Sequence, residues 1–450
     1  MELGSGGRTK EHEVLSALHR WAVQPYHRLR SIELDVRSVI EIAEAVEAPV
    51  IANLRCGLWY VPPRYRAGVS HFKSGDGHYG QWNFSMRRLN LHLLQILASE
   101  RKALVVDATR TGKRFPDSLS KTLPTWSCVV NRALLGFTDE PLVLPPWVPK
   151  QEQVRIEGMI PEWVRRCRSA LGQMNLPKPA KKLGIIWLRP ESTVLESYAH
   201  VDFCPIFALS ASLFIEEGSR ADMNGFHYVP GAGDDEESWA LGLGADIFHE
   251  NVQAIIGDGP DGCEDRMQSF ACSKAENVSS SIGARRYPLW DTGVQIGAME
   301  CLDDPSVWKD FEKVLVLNHS VDLPANVGSG AALDNLVQFS MMNNKGKPDR
   351  RYGLQRALPR VLGILQETSS VLVVSDPDME YSVAASMAFL ASSCERDPLG
   401  CYYRSQGQLV PDKESFTLAL ASLGTEIPHP IAPSRTVLKQ VHRCFMSSPP

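Results

Sequence analysis

Four short apolar runs constrain the fold of this chain more than any other feature: Ala103–Asp107, Phe203–Ala208, Val314–Leu317 and Val371–Val374. Runs this short, bounded by polar loops, read as strands buried on both faces. Between them lie stretches of helical periodicity. Leu15, Leu18, Trp21 and Ala22, then Ile32 to Ala43, place a helix over 11–48, with Pro25 breaking it in two. Asn83 is positioned to cap a helix running to about Ser99, and Pro116 to start the next. Further helices are expected over 353–366, 382–393 and 434–446, the last capped by Ser434 after Pro433. Strands alternating with helices in both halves make this an α/β protein. The Ser- and Asn-rich segment Asp261–Tyr287 is the expected boundary, giving domains 1–283 and 284–450.

The chain of 450 residues is long enough for two or three domains, and 44% hydrophobic with 22% charged residues is ordinary for a globular enzyme. No stretch approaches the ~18 consecutive apolar residues of a membrane span, and the start shows no secretory leader. The ten cysteines include no Cys-x-x-Cys pair, which fits reduced thiols in a cytoplasmic or nuclear protein. The net charge of −5 hides segregated blocks. Residues 55–132 carry 13 Lys and Arg against 4 Asp and Glu, and 342–360 carry 6 against 1, whereas 216–265 carry 13 acids against Arg220. The bland reading of each block is a solvated face. The basic residues, however, are interleaved with Gly, His, Tyr, Trp and Asn rather than with Glu partners, a composition suited to phosphate and sugar contact.

Three loops could carry chemistry. The segment Ala103–Arg114 sets an apolar strand ending in Asp107 before Thr109-Arg110-Thr111-Gly112-Lys113-Arg114, the layout of a phosphate-cradling turn. It is not a Walker A loop. It resembles the phosphoribosyl-pyrophosphate loop of phosphoribosyltransferases, with Val106 where a first acid would stand. Its neighbour, Ser70–Asn90, packs Lys73, Asp76, His78, Arg87 and Arg88 among three glycines. Asp76 or His78 is the expected general base, a free histidine titrating near pH 6.5. The acidic loop Gly231-Ala-Gly-Asp234-Asp235 could hold Mg²⁺ through its carboxylates, or could be a solvated helix-capping turn. In the second half, Val371–Val383 has the strand–loop–helix layout of a Cys-x5-Arg phosphatase loop, but Ser375 stands for the thiol and Tyr381 for the arginine. Phosphomonoester hydrolysis is excluded on those grounds.

Together with Pro433–Met446, these segments are similar to the initiator-tRNA phosphoribosyl transferases. The residues carrying the likeness are Phe72–Asn90, Val105–Lys121, Gly231–Glu236 with Trp239 and Gly242, and the C-terminal motif. The resemblance implies transfer of 5-phosphoribose from phosphoribosyl pyrophosphate to the 2′-hydroxyl of the purine at position 64, in the T-stem of initiator methionine tRNA. That mark keeps the tRNA out of elongation. It also implies a dual-specificity-phosphatase-like second domain, from whose usual Cys, Gly and Lys the loop Ser375–Glu380 departs. On this reading Lys73 and Thr109–Arg114 take the donor phosphates, Asp107 holds ribose hydroxyls or Mg²⁺, and Asp234 and Asp235 take a metal. Arg87, Arg88, Arg350, Arg351 and Arg356 would grip the tRNA. The competing class is a non-enzymatic tRNA-binding protein, which would need no donor pocket.

Overall fold

The computed structural model describes residues 25–172, 174–192, 201–217, 219–223, 225–275, 286–318, 335–343, 347, 349, 351–375, 379–397, 401–407, 409–427 and 433–446. Arg350, Asp376, Asp378 and the helix expected before Pro25 lie outside the described residues. The chain divides into two compact units. One draws on Met1–Phe84, Leu93–Trp163 and Lys178–Glu276; the other on Ser85–His92, Val164–Pro177 and Asn277–Pro450.

The first unit is built on a five-stranded, wholly parallel sheet: β1 (Val50–Asn53), β2 (Arg66–Ser70), β3 (Ala103–Asp107), β4 (Leu183–Leu188) and β5 (Cys204–Ser210) in the order β2-β1-β3-β5-β4. Parallel strands need crossovers, and four longer helices accompany them in the chain: α1 (Pro25–Val46), α2 (His92–Glu100), α3 (Leu123–Ala133) and α4 (Lys150–Leu171), the last counted with the second unit from Val164 onward. Leu104, Val106, Phe207 and Leu209 join Leu29, Ile32, Val39 and Ile42 of α1 in one core, while the alternate residues Val105, Ile206 and Ala208 are buried as well. Both faces are therefore covered, which is why these strands read as unbroken apolar runs. A small hairpin, β6 (Asp222–Met223) and β7 (Phe226–His227), precedes α5 (Ala245–Glu250), α6 (Val252–Ile256) and α7 (Cys263–Ala275). Within the expected boundary segment, Cys263 and Met267 of α7 are buried in the first unit's core.

Two expectations shift. Pro25 begins α1 rather than interrupting a helix, the position where its missing N–H is harmless. The helix expected from Asn83 starts at His92, because Asn90 takes a left-handed conformation (φ 50°) that a helix cannot pass through.

The second unit has its own sheet: β8 (Arg286–Pro288), β9 (Val294–Ala298), β10 (Lys313–Asn318), β11 (Leu336–Ser340) and β12 (Val371–Ser375), ordered β11-β10-β12-β9-β8. Only β8 runs antiparallel. α9 (Gly353–Glu367), α10 (Glu380–Ser393), α11 (Lys413–Glu426) and α12 (Arg435–Met446) contribute to the core on one face, and α8 (Val307–Asp310) to the core on the other. α10 is buried nearly all round, so its sequence shows no polar stripe. A hairpin of β13 (Cys394–Arg396) and β14 (Tyr402–Arg404) follows it. No described helix is long and apolar enough to cross a membrane. The fold class is α/β, as the apolar runs required.

Seven described cysteines are buried and Cys444 is half-buried, and burial pushes up thiols such as Cys167 and Cys394, each to about 12. Cys401 is exposed. Titration of the native protein with a thiol reagent is thus expected to modify Cys401 well before the buried thiols; rapid modification of several would contradict this packing.

Candidate functional site

In a parallel sheet every strand delivers its following loop to the same edge, and in the first unit that edge collects Asn53, Ser70, Asp107 and Ser210. Asp107, at the end of the central strand, is fully buried. Its Oδ2 accepts from Asn53 Nδ2 (2.8 Å), Arg55 Nε (3.1 Å) and Ser118 Oγ (2.5 Å). Its Oδ1 accepts from Ala108 N (2.8 Å) and Cys56 Sγ (3.0 Å), with Arg55 Nη2 at 3.1 Å. Both oxygens are occupied by the protein's own donors. Asp107 is accordingly placed to hold Arg55, not ribose hydroxyls or Mg²⁺ as the resemblance implied.

Arg55 is the hinge of the site. Its Nη2 also donates to the Ala108 carbonyl, and its Nη1 lies 2.8 Å from Asp234 Oδ2. Burial works against the guanidinium charge, but Asp107, Cys56 and Asp234 outweigh it and hold its pKa above the ordinary arginine value. The same Asp234 Oδ2 accepts from Arg110 Nε at 3.2 Å, and Arg110 Nη2 reaches Asp235. The acidic loop and the phosphate-type loop, more than a hundred residues apart in sequence, are therefore one structure.

Close backbone approach makes this possible. Gly231 sits at φ 65°, and a Cβ there would lie 2.8 Å from the Thr109 carbonyl; at Gly233 it would meet Trp59 at 2.8 Å. Gly231→Ala should therefore lower stability by roughly 1–3 kcal/mol and loosen the Thr109–Arg114 loop. Thermal unfolding checks it, an unshifted midpoint counting against the packing.

α1 templates the acidic loop from behind. Arg28 Nη1 donates to the Ala232 carbonyl (2.7 Å), and Ser31 Oγ accepts from Val229 N (2.8 Å). Asp35 accepts from Tyr228 Oη (2.7 Å) and Ser212 Oγ (2.9 Å), while Ser212 Oγ accepts from Gly231 N (3.0 Å) and Tyr228 Oη from Leu213 N (2.8 Å). Burial raises the Asp35 carboxyl well above its usual range, against the lowering effect of those hydroxyls. A raised carboxyl favours the folded state only while protonated. That contribution is complete below the unfolded value near 3.8 and lost as pH rises through the folded one. Asp35→Asn should consequently gain stability relative to wild type as pH rises from 4 to 8. Unfolding midpoints across that range measure it, and a gain confined to acid pH would refute the assignment.

The Thr109–Arg114 loop itself faces solvent. Thr109 is buried, but Arg110, Thr111, Gly112, Lys113 and Arg114 are exposed. Gly112, at φ 80°, donates its N–H to the Ile215 carbonyl (2.9 Å), and Arg114 lies over the Phe214 ring. Next to it, the turn Ser74–Gly77 packs against the start of the following helical segment, where a Cβ on Gly77 would meet the Asp117 carbonyl at 2.9 Å. This brings His78 Nδ1 to 2.6 Å from Asp117 Oδ2. An ionised carboxylate only accepts, so the histidine donates from Nδ1 and leaves Nε2 free to take a proton. Asp117 also neighbours Lys121 Nζ (3.3 Å) and Lys113 Nζ (4.0 Å). Lys121 bonds Glu152, which accepts from Trp82, and Trp82 meets the exposed ring of Tyr79 edge-on at 5.2 Å. Lys73 is exposed, and Asp76 lies within the turn, its carbonyl accepting from Asn83 N.

Of the predicted residues, the first unit thus gathers Lys73, Asp76, His78, Asp107, Thr109–Arg114, Asp234 and Asp235 along one sheet edge. Arg87 and Arg88 belong to the second unit, as do Arg351 and Arg356. Arg356 is paired with Asp349 (2.5 Å), and Arg351 lies over Tyr352. Ser375 is fully buried, with its Oγ bonded to Ser382, so it presents no nucleophile. The sequence reading missed Arg55, Asp117 and Ser118. All three lie in or beside the quoted motifs, and only their distance from any recognised pattern hid them.

Asp234 and Asp235 do not fit a metal: both are neutralised by arginines, and among the described residues no cluster of three or more His, Cys, Asp or Glu could hold an ion.

The first unit is thus a parallel α/β unit with a cationic, solvent-facing loop at the carboxyl edge of its sheet, the edge at which open α/β sheets place their ligand crevices. The profile of the Rit1 N-terminal domain matches residues 18–271, and the chain belongs to that family. It is 33% identical over 300 residues to an uncharacterized protein of Schizosaccharomyces pombe, covering 63% of this chain and 64% of that one. It is 35% identical over 284 residues to the tRNA A64-2′-O-ribosylphosphate transferase of Saccharomyces cerevisiae, covering 56% of this chain and 55% of that one. The chain thus matches less than two thirds of the length of either relative. No solved structure matches it.

Proposed function

We propose that the protein is a tRNA 2′-O-ribosylphosphate transferase, moving 5-phosphoribose from phosphoribosyl pyrophosphate to the 2′-hydroxyl of the purine at position 64 of initiator methionine tRNA. The observation that supports this best is the juxtaposition, through Asp117, of a histidine base and the exposed cations of the Thr109–Arg114 loop. A protein that only bound tRNA would need the cations but not the oriented imidazole. The name of the Saccharomyces cerevisiae relative agrees with the chemistry.

On this reading Lys73, Arg110, Lys113 and Arg114 bind the donor's phosphates, and the backbone around Gly112 approaches them closely. His78 Nε2 takes the proton of the acceptor 2′-hydroxyl as its oxygen bonds to C1 of the donor. The C1–O bond to pyrophosphate breaks, and the pyrophosphate leaves with that electron pair, stabilised by the neighbouring cations. Asp117 orients His78; Asp107 and Asp234 hold Arg55 and the loop. Mg²⁺ is assigned to the donor's phosphates as part of the substrate, since the acidic loop is already neutralised. Lys113→Ala tests the assignment: transfer should fall at least tenfold through weaker donor binding, with tRNA affinity nearly intact. Unchanged turnover would refute it. Localisation in the cytoplasm, where tRNA is used in translation, is part of the same proposal.

A further inference from the structure

We propose that Tyr79 positions the acceptor nucleotide, its exposed ring packing against the sugar and base beside the reacting 2′-hydroxyl. The inference rests on the transferase reading and assigns it a residue that grips the acceptor. Tyr79 stands at a corner of the turn His78-Tyr-Gly-Gln81, which the Gln81 N–H closes by donating to the His78 carbonyl (2.9 Å). Gly80 takes φ 75°, the left-handed conformation that a type II turn demands at this position. The proposed base and the ring therefore leave one four-residue turn. The ring is 65% exposed, more than any other aromatic side chain among the described residues.

Exposure does not leave the ring loose. Arg155 Nη1 donates to Tyr79 Oη (2.5 Å), the same guanidinium lies 5.8 Å from the ring centre, and Trp82 meets the ring edge-on at 5.2 Å. Trp82 Nε1 donates to Glu152 Oε1 (2.9 Å), which also accepts from Lys121 Nζ (2.8 Å), and Lys121 Nζ lies 3.3 Å from Asp117 Oδ1. The other oxygen of Asp117 holds His78, so a continuous set of contacts joins ring and base. Fixing a side chain without burying it forgoes the apolar gain that usually offsets lost rotamer freedom. A ring held in that way is pre-positioned for a ligand. The ligand is the acceptor rather than the donor. The donor offers a sugar and phosphates, and an anion is repelled by the negative face of an aromatic ring. In A-form RNA the 2′-hydroxyls and base edges lie together in a wide, shallow minor groove, which a side chain raised on a turn can enter.

The test uses the full chain, labelled phosphoribosyl pyrophosphate and initiator methionine tRNA, with tRNA binding followed separately by fluorescence anisotropy. Tyr79→Ala should lower kcat/KM for tRNA about fivefold or more, the low end of what one aromatic contact to a nucleotide contributes. The KM for the donor and the unfolding midpoint should stay at wild-type values. Tyr79→Phe keeps the ring and loses only the bond to Arg155, so it should restore kcat/KM to within about twofold of wild type. Three results would overturn the proposal: wild-type kcat/KM for tRNA in Tyr79→Ala, a raised donor KM in that variant, or Tyr79→Phe as impaired as Tyr79→Ala. Absence of transfer in the wild type would instead fail the transferase reading. The ring is then judged on anisotropy alone, where tRNA affinity about fivefold weaker in Tyr79→Ala but not in Tyr79→Phe upholds the nucleotide contact, and wild-type affinity in Tyr79→Ala refutes it.

Discussion

Replacing Arg55 by alanine should have the largest effect of any single change in the first unit. The guanidinium is bonded to a fully buried Asp107 on one side and to Asp234 on the other. Its removal leaves a carboxylate with no counter-charge in a dry environment, a loss of about 3–5 kcal/mol for a broken buried pair. It also frees the Gly231–Asp235 loop from the sheet edge. Chemical denaturation should show the stability loss, and transfer should fall at least a hundredfold. Arg55→Lys should restore little, because a single ammonium cannot span Nε and Nη contacts to Asp107 while also reaching Asp234 and the Ala108 carbonyl. Near-wild-type stability in R55K would contradict this account of the hub.

The second large effect is expected at His78. His78→Ala should reduce the rate of transfer by about 10²–10⁴, the range for a positioned general base, while leaving donor affinity within a few-fold of wild type. Asp117→Asn should lower the rate less, since the imidazole loses its orienting acceptor but keeps its nitrogen. Single-turnover rates with saturating donor and tRNA separate chemistry from binding. Equal turnover in His78→Ala and wild type would remove histidine from the mechanism and return attention to Asp76.

Much of this architecture was legible in the sequence, for physical reasons. β3, β5, β10 and β12 are buried on both faces and therefore spelled as apolar runs. β2, Arg66-Ala-Gly-Val-Ser70, is a sheet-edge strand with partly exposed residues, and its composition resembles a loop. The two N-terminal motifs were recognisable because glycines and cations are dense there. What could not be read was which carboxylate faces what. Asp107 and Asp117 look alike in sequence, yet one is sealed beneath Arg55, Asn53 and Ser118 while the other reaches His78. Asp234 and Asp235 look like metal ligands until Arg55 and Arg110 arrive from distant segments. Tertiary pairing decides such roles, and one chain read alone does not display it.

The most direct test of the central claim is incubation of the full chain with radiolabelled phosphoribosyl pyrophosphate, Mg²⁺ and unmodified initiator methionine tRNA, with elongator methionine tRNA as control. The account predicts label on initiator tRNA alone, accumulating at least tenfold more slowly in Lys113→Ala and about 10²–10⁴-fold more slowly in His78→Ala. Measurable tRNA binding with no label on either tRNA would contradict it and leave a binding protein on a transferase scaffold.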